Sequence, residues 1–273
     1  MEEIGLIIVR DLMDEDFPMV DKDETLYQSV RVMEKYSYDR VVVFDKKKLV
    51  GVVTKKDIMY KLGQKRTSRT TPGRLHVSSF IRNTPPITIS PDTLVVKACR
   101  VMIENNISSL PVVEDENVVG LFHKKSILPI LKEISVVPAR RVMFATPYVA
   151  KVQDTAMHIR QILLSENIDF LPVVDEDGRP VGLISVDEIA EALFVFHDIV
   201  PLKHRKERKY RILVEDIMKM RPPIVGPDTT ISEIASLIEK KNTRGVVVVD
   251  ADRVIGLVSL TNLTEFIARE YVV

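Results

Sequence analysis

Residues 40–54 read RVVVFDKKKLVGVVT and decide the fold, because two apolar segments flank a charged turn and the second segment carries a central glycine. The arrangement returns as LPVVEDENVVGLFH at 110–123, LPVVDEDGRPVGLIS at 171–185 and VVVVDADRVIGLVS at 246–259. The glycines of the second segment, separated by 69, 62 and 74 residues, are Gly51, Gly120, Gly182 and Gly256. This spacing indicates four internal repeats, which set the architecture.

Each repeat is predicted to have the order β-α-β-β-α. The two apolar segments are nearly continuous runs of β-branched residues, which is typical of strands buried on both faces. Upstream lies a helix with a polar start signal and an apolar face, as in Leu26, Val30 and Met33. A short proline-containing strand is predicted before each of these helices, at 17–20, 84–89, 146–149 and 221–225.

The domain organisation follows from the size of one repeat. A unit of about 60 residues buries too little apolar surface to be stable alone, so the repeats are expected to pair. We place the repeats at 1–70, 71–135, 136–200 and 201–273. The main boundary is predicted near Val136 to Pro138, which gives two tandem pairs.

Composition narrows the class of protein. The 273 residues include 39 Lys and Arg and 39 Asp and Glu, so the formal net charge of zero argues against a globally basic nucleic-acid binder. No apolar run approaches the ~18 to 20 residues of a membrane span, and no basic segment precedes a long apolar stretch. We therefore expect a cytoplasmic protein without a membrane segment. Cys99 lies among apolar residues of a predicted helix, which favours a core position.

The repeats resemble CBS (cystathionine beta-synthase) domains, whose two-repeat assemblies are called Bateman modules. The Leu-Pro-Val-Val strand, the glycine of the second strand and the segment 51–57, GVVTKKD, match the pattern of that family. A four-repeat chain of this size is similar to the gamma subunit of AMP-activated protein kinase and its archaeal relatives. The resemblance implies an α/β protein with two Bateman modules stacked as a flat disc, and adenosine-containing ligands bound in clefts between paired repeats.

Asp57 is the sharpest candidate ligand residue. In the resembling family the matching Asp accepts hydrogen bonds from both ribose hydroxyls, and a carboxylate near a helix start suits that role. The structural alternative is that Thr54 caps the helix and Asp57 completes a capping box. The other repeats depart from Asp at this position, with Ser126, Glu188 and Asn262, so we expect one strong site and at most two weaker ones.

Further candidates come from the resemblance and from charge. The family pattern places the base of a nucleotide held by Asp57 against five residues of the paired repeat, namely Thr84, Ile87, Ile107, Ser108 and Pro111. The alternative is that these five are ordinary residues at the rim of the core. Residues in matching positions elsewhere complete the candidate set: Lys55, Thr146, Ser185, Glu188, Ser259 and Asn262.

Phosphate requires cations, for which Arg40 and Arg244 are the candidates. In a head-to-head stack of the two pairs, repeats 1 and 4 would face one another and bring these two arginines together. The lysines after the glycine-bearing strands have the usual alternative of solvated surface charge.

The predicted function is a non-catalytic regulatory sensor of AMP, ADP or ATP, without a catalytic cofactor or metal, that signals to a regulated protein of unknown identity. The alternative ligand is S-adenosylmethionine or methylthioadenosine. An alternative of another class is a nucleic-acid-associated protein that uses the basic linker 203–211, although a solvated linker explains the same charges and nucleic acid is the less favoured partner. A homodimer stays open.

Overall fold

The computed structural model describes residues 3–64, 66–81, 84–145 and 148–271. This part of the chain is mixed α/β, and the hairpin of strands predicted from the glycine-centred segments is present in all four repeats.

Repeat 1 has the predicted order of elements. They are β1 Met19–Asp21, α1 Leu26–Tyr36, β2 Arg40–Asp45, β3 Lys48–Thr54 and α2 Lys55–Leu62. β1 pairs with β2 in parallel, and β2 pairs with β3 in antiparallel register, which places Arg40 opposite Thr54. The Thr25 hydroxyl accepts from the amide of Gln28 and begins α1, as the start signal predicts.

Repeat 2 departs from the prediction at both ends. Its elements are α3 Val95–Glu104, β4 Ser109–Glu114, β5 Asn117–His123 and α4 Leu128–Lys132. The predicted first strand is reduced to one parallel bridge between Ile89 and Val112. A 3-10 turn, Lys124–Ile127, precedes the short α4.

Repeats 3 and 4 follow the same plan, with additional short helices. The elements of repeat 3 are α5 Ala139–Val142, β6 Ala150–Lys151, α6 Ala156–Ser165, β7 Phe170–Val174, β8 Pro180–Ser185 and α7 Val186–Ile199. After α8 Leu202–Arg208, repeat 4 has α9 Val214–Ile217, β9 Lys219–Met220, β10 Ile224–Val225, α10 Ile231–Lys241, β11 Gly245–Asp250, β12 Arg253–Ser259 and α11 Leu260–Glu270.

Pro18 and Pro223 of the predicted short strands lie outside the observed strands. Met19–Asp21 and Ile224–Val225 begin just after Pro18 and Pro223, because proline has no N–H to donate to a neighbouring strand. The corresponding strand of repeat 3 begins at Ala150, after the predicted span.

The segment that precedes the strands of a repeat pairs with the sheet of a neighbouring repeat, which the sequence does not predict. Asp14, which precedes the strands of repeat 1, bridges to Leu121 of repeat 2. Phe144, which precedes the strands of repeat 3, bridges to Leu257 of repeat 4, and β9 pairs with β8 of repeat 3. We call these stretches the exchanged segments: residues 13–14, 143–144 and 218–220.

The chain forms two compact units that cut across the predicted boundary near Val136. Unit A consists of residues 17–86 and 148–221 and contains repeats 1 and 3. Unit B consists of residues 1–16, 87–147 and 222–273 and contains repeats 2 and 4. Helix packing explains the division, since α2 contacts α7 in unit A, whereas α3 contacts α11 and α4 contacts α10 in unit B.

Each unit has its own apolar core. In unit A the core includes the fully buried Leu26, Met59, Ile159 and Leu193. In unit B it includes one face of α10, namely the fully buried Ile231, Ile234, Ala235 and Ile238. Cys99 is fully buried, as predicted, and burial raises the pKa of its thiol to about 12. Each large apolar side chain that is fully buried in one of the two cores stabilises the fold by about 1.5 to 3 kcal/mol.

Candidate functional site

Asp57 lies where β3 ends and α2 begins, and it completes a capping box. The Thr54 amide donates to Asp57 Oδ2 at 2.9 Å and the Thr54 hydroxyl donates to the same oxygen at 2.6 Å. The Asp57 amide in turn donates to Thr54 Oγ1 at 3.2 Å. The structural role weighed from the sequence is therefore real. It uses only Oδ2, because Oδ1 has no hydrogen-bond partner among the described residues.

The same box recurs at the equivalent position of the other three repeats. The amides of His123, Ser185 and Ser259 donate to Ser126 Oγ at 3.1 Å, Glu188 Oε2 at 2.9 Å and Asn262 Oδ1 at 2.9 Å. Each helix or turn thus begins through a side chain at its third residue, whatever that residue's charge. Capping is common to the four repeats, and a carboxylate is not required for it.

A second carboxylate oxygen distinguishes repeats 1 and 3 from the other two. Glu188 is buried, and its Oε1 accepts from Lys219 Nζ at 2.9 Å. Burial lowers the pKa of Lys219, but the charge and hydrogen bond of Glu188 outweigh it and raise that pKa above its usual value. Among the four equivalent residues, Asp57 is therefore the one whose carboxylate has an oxygen without a hydrogen-bond partner in the described ranges, and that oxygen can accept from a ligand.

Arg40 lies beside this position and carries a counter-charge. Its side chain is only 6% exposed, and its Nε lies 2.7 Å from Asp39 Oδ1. The Asp39 carbonyl accepts from the Lys55 amide at 2.8 Å. One corner of repeat 1 therefore contains Asp39, Arg40, Thr54, Lys55 and Asp57. Of these five residues, Asp39 is the one that the sequence does not predict. The acid partly neutralises the arginine expected to hold phosphate.

Arg244 lies in unit B, whereas Arg40 lies in unit A. Helix packing within unit A joins repeat 1 to repeat 3, and the convergence of Arg40 and Arg244 stays a prediction. The Arg244 carbonyl accepts from the amide of Leu260 at 2.9 Å. Its position is therefore equivalent to that of Asp39, where the backbone does the same for α2.

The lysines after the glycine-bearing strands contact other repeats of the same unit. Lys56 Nζ donates to Asn167 Oδ1 at 2.9 Å in unit A. In unit B, Lys124 donates to Thr261 at 2.8 Å and Lys125 donates to Asn242 at 2.6 Å. Lys56 and Lys125 occupy equivalent positions and each donates to an Asn of another repeat. This indicates that repeats 1 and 3 pack in the same relative arrangement as repeats 2 and 4.

Three candidates of repeat 2 lie just before β4 or within it, namely Ile107, Ser108 and Pro111. Pro111 is buried, Ile107 and Ser108 are half-buried, and Ile87 is 39% exposed. The Pro111 carbonyl accepts from Ile89 at 3.1 Å. Thr84 is exposed at the end of the unit A stretch. Contact of these residues with a base stays a prediction.

In repeats 3 and 4, Ser185 and Ser259 are buried helix caps. Thr146 lies outside the described residues.

Two residues of the exchanged segments were missed by sequence analysis. Lys219 contacts Glu188, and Asp14 Oδ2 lies 2.7 Å from His123 Nε2. No local pattern identifies them, because their partners lie 31 and 109 positions away in the sequence.

The basic linker 203–211 is not a free cationic strip. Arg205 and Lys209 are 2% and 1% exposed. Arg205 donates to the carbonyls of Val200 and Thr70, at 2.6 and 3.0 Å, and Lys209 donates to that of Gly63 at 3.0 Å. Two of the linker's cations thus stabilise unit A internally, which weakens the nucleic-acid alternative.

Two kinds of feature are absent from the described ranges. These ranges contain no helix long and apolar enough to cross a membrane. They also contain no group of three or more His, Cys, Asp or Glu side chains that could hold a metal ion.

Two solved structures are similar to this chain, and the first of them supports the fold. Protein MJ1225 from Methanocaldococcus jannaschii, described as a candidate archaeal homologue of g-AMPK, has a TM-score of 0.81 at 19% identity over 95% of this chain and 99% of that chain. The CBS domain pair of protein MJ0100, solved in complex with 5'-methylthioadenosine and S-adenosyl-L-methionine, is 28% identical, with a TM-score of 0.40 over 48% of this chain and 95% of that chain.

Comparison by sequence identifies the family. Protein MJ1404 of Methanocaldococcus jannaschii, which is uncharacterized, is 21% identical over 95% of this chain and 62% of its own length. The chain spans about a fifth to three fifths of the length of the curated relatives it matches first. The CBS domain family matches residues 9–64, 77–133, 139–195 and 214–269. This chain therefore belongs to the CBS domain family.

Proposed function

We propose that the chain is a non-catalytic regulatory sensor that binds an adenosine-containing ligand through repeat 1, with the ribose held by Asp57. The observation that carries the proposal is that the two oxygens of this carboxylate differ in their hydrogen bonding. Oδ2 caps α2, whereas Oδ1 is without a hydrogen-bond partner in the described chain. A hydrogen bond to a charged acceptor contributes about 1.5 to 3 kcal/mol. Ribose can therefore bind without dismantling the cap.

The start of α2 is a suitable place for the charged acceptor that this role requires. Asp57 lies in the first turn of α2, where the partial positive charge of the backbone amides favours an anion. The equivalent positions offer less: Asn262 has no charge, and Ser126 has a single hydroxyl. Repeat 1 is accordingly the principal site in this proposal, in keeping with its close match to the family pattern.

The first candidate ligands are AMP, ADP and ATP, with Arg40 as the cation for phosphate. The second candidates are S-adenosylmethionine and methylthioadenosine, and the contact between Arg40 and Asp39 favours them. An arginine that already has a carboxylate at 2.7 Å gains less from a phosphate than an unpaired one would. Affinity for AMP relative to adenosine separates the two groups of ligands.

The sensor role is proposed from the binding residues themselves. Asp57 and its neighbours hold a ligand and include no nucleophile set beside a base, so we assign no chemical step to them. A ligand that binds one conformation more tightly shifts the population toward it, and a regulated protein can respond to that shift. The identity of that protein is not part of the proposal.

The test is a thermal-shift panel of AMP, ADP, ATP, adenosine, S-adenosylmethionine and methylthioadenosine, followed by chromatography of the incubated ligand. At a concentration 100 times its Kd, a ligand stabilises the folded chain by about 2.7 kcal/mol. A rise in Tm of about 5 to 10 °C is expected for a chain of this size. The ligand should be recovered intact. A panel without any shift contradicts binding, and reproducible turnover contradicts the non-catalytic role.

A further inference from the structure

Glu188 of repeat 3 has an internal cation where Asp57 Oδ1 of repeat 1 has no hydrogen-bond partner among the described residues. Its Oε2 accepts from the amide and hydroxyl of Ser185, and its Oε1 accepts from Lys219 Nζ at 2.9 Å. The carboxyl side chain is only 7% exposed, whereas that of Lys219 is 64% exposed. The cation thus covers the carboxylate from the solvent side.

The backbone fixes Lys219 in this place. Lys219 belongs to β9 and pairs with Leu183 of β8, next to Gly182. A Cβ on Gly182 would lie 2.6 Å from Met218 Sδ and 3.2 Å from the Lys219 carbonyl oxygen. Only glycine permits so close an approach without a shift. The exchanged segment is therefore held against β8, and its lysine reaches the start of α7.

In repeat 2 an exchanged segment is held against the sheet in the same way, but it carries an acidic residue where that of repeat 3 carries a lysine. A Cβ on Gly120 would lie 2.6 Å from Met13 Sδ and 3.3 Å from the Asp14 carbonyl oxygen. Asp14 then reaches the capping residue of its repeat, with Oδ2 2.7 Å from His123 Nε2. The residue after the methionine of an exchanged segment thus contacts the polar start of the helix or turn in both repeats. In repeat 1 the corresponding residue, Arg82, lies outside the described part of the chain.

We propose that Lys219 closes the repeat 3 position to ribose, so that the exchanged segment decides whether a carboxylate at the helix start binds a ligand. The inference rests on the proposed function for the class of ligand. A ribose hydroxyl can reach Oε1 only if the ammonium group leaves, and a neutral hydroxyl is a weaker partner for a buried carboxylate than a cation is. Lys219 is thus an internal competitor for the ligand.

The test is isothermal titration with AMP and with adenosine as probes, on the full chain. Lys219→Met is expected to add a second bound molecule per chain, and adding Glu188→Gln should remove it. Lys219→Arg is the matched control, because it retains the cation and should retain the wild-type stoichiometry. AMP should also raise the Tm of Lys219→Met by more than it raises that of the wild type. If Lys219→Met does not fold by circular dichroism, Lys219→Gln takes its place.

The outcomes separate the inference from the function on which it rests. Unchanged stoichiometry and affinity in folded Lys219→Met and Lys219→Gln overturn the inference, while wild-type binding that depends on Asp57 leaves the proposed function intact. Weaker binding in these variants also overturns it, because Lys219 would then be a ligand contact. Wild-type protein that binds neither probe contradicts the proposed function, whatever the variants do.

Discussion

Replacing Asp57 by Asn separates the ligand role of this residue from its capping role. Repeat 4 provides the precedent, since the Ser259 amide and hydroxyl donate to Asn262 Oδ1 at 2.9 and 2.7 Å. An Asn at position 57 can make the same cap, but its second polar atom becomes an NH2 donor and its charge is lost. We therefore expect the fold of α2 to survive and the ribose acceptor to disappear.

The magnitude follows from the number of contacts. One lost charge-assisted hydrogen bond of about 1.5 to 3 kcal/mol corresponds to a roughly 10- to 150-fold increase in Kd. The stability cost should be smaller, because the cap remains and the loss of a negative charge in the first turn costs about 0.3 to 1 kcal/mol. Isothermal titration with the tightest ligand of the panel gives the first quantity, and chemical denaturation gives the second.

The matched control is Asn262→Ala in repeat 4, which removes a cap without removing a carboxylate. It should lower stability and leave the affinity unchanged. The reasoning would be refuted if Asp57→Asn bound every adenosine ligand as tightly as the wild type, or if Asn262→Ala weakened binding as much as Asp57→Asn.

Three further predictions concern charged groups. Burial, aided by the charges of Arg205 and Lys209, lowers the pKa of His197. As the pH falls below about 6.5, this histidine therefore binds a proton in the unfolded chain before it does so in the folded chain, and the folded chain loses stability. His197→Gln should reduce the drop in Tm between about pH 7.5 and about pH 5.5, and an unchanged drop would count against this account. Replacing Arg205 and Lys209 together by Met should lower the Tm without changing retention of single-stranded RNA on a filter; loss of RNA at unchanged Tm would favour the nucleic-acid alternative. If Arg40 contacts phosphate, Arg40→Gln should weaken AMP and spare adenosine in titrations, and equal weakening of both would rule out that contact.

Much of the fold could be predicted because it is encoded locally and repeated. The strand hairpins follow from short β-branched runs around Gly51 and its equivalents, and the helix starts follow from residues such as Thr25 and Thr230, which do cap α1 and α10. Proline limits the same logic: it marks the region of the first strand, but its missing N–H moves the pairing to the residues after Pro18.

The partnership between repeats could not be predicted, because it depends on contacts far apart in sequence. All four repeats have similar apolar helices, so no periodicity distinguishes packing of α2 against α7 from packing against another repeat. The same holds for the candidate site. The motif at Asp57 is visible in the sequence, whereas the counter-charge of Lys219 on Glu188 appears only when the exchanged segment is placed against β8.

The central claim, that the chain binds an adenosine-containing ligand, is tested most directly by mass spectrometry of the small molecules released when freshly purified protein is denatured. The account predicts an adenosine derivative in the wild-type sample that is strongly depleted in Asp57→Asn purified in parallel. Samples of both proteins that contain no such compound, together with no binding when the panel of ligands is added back, would contradict it.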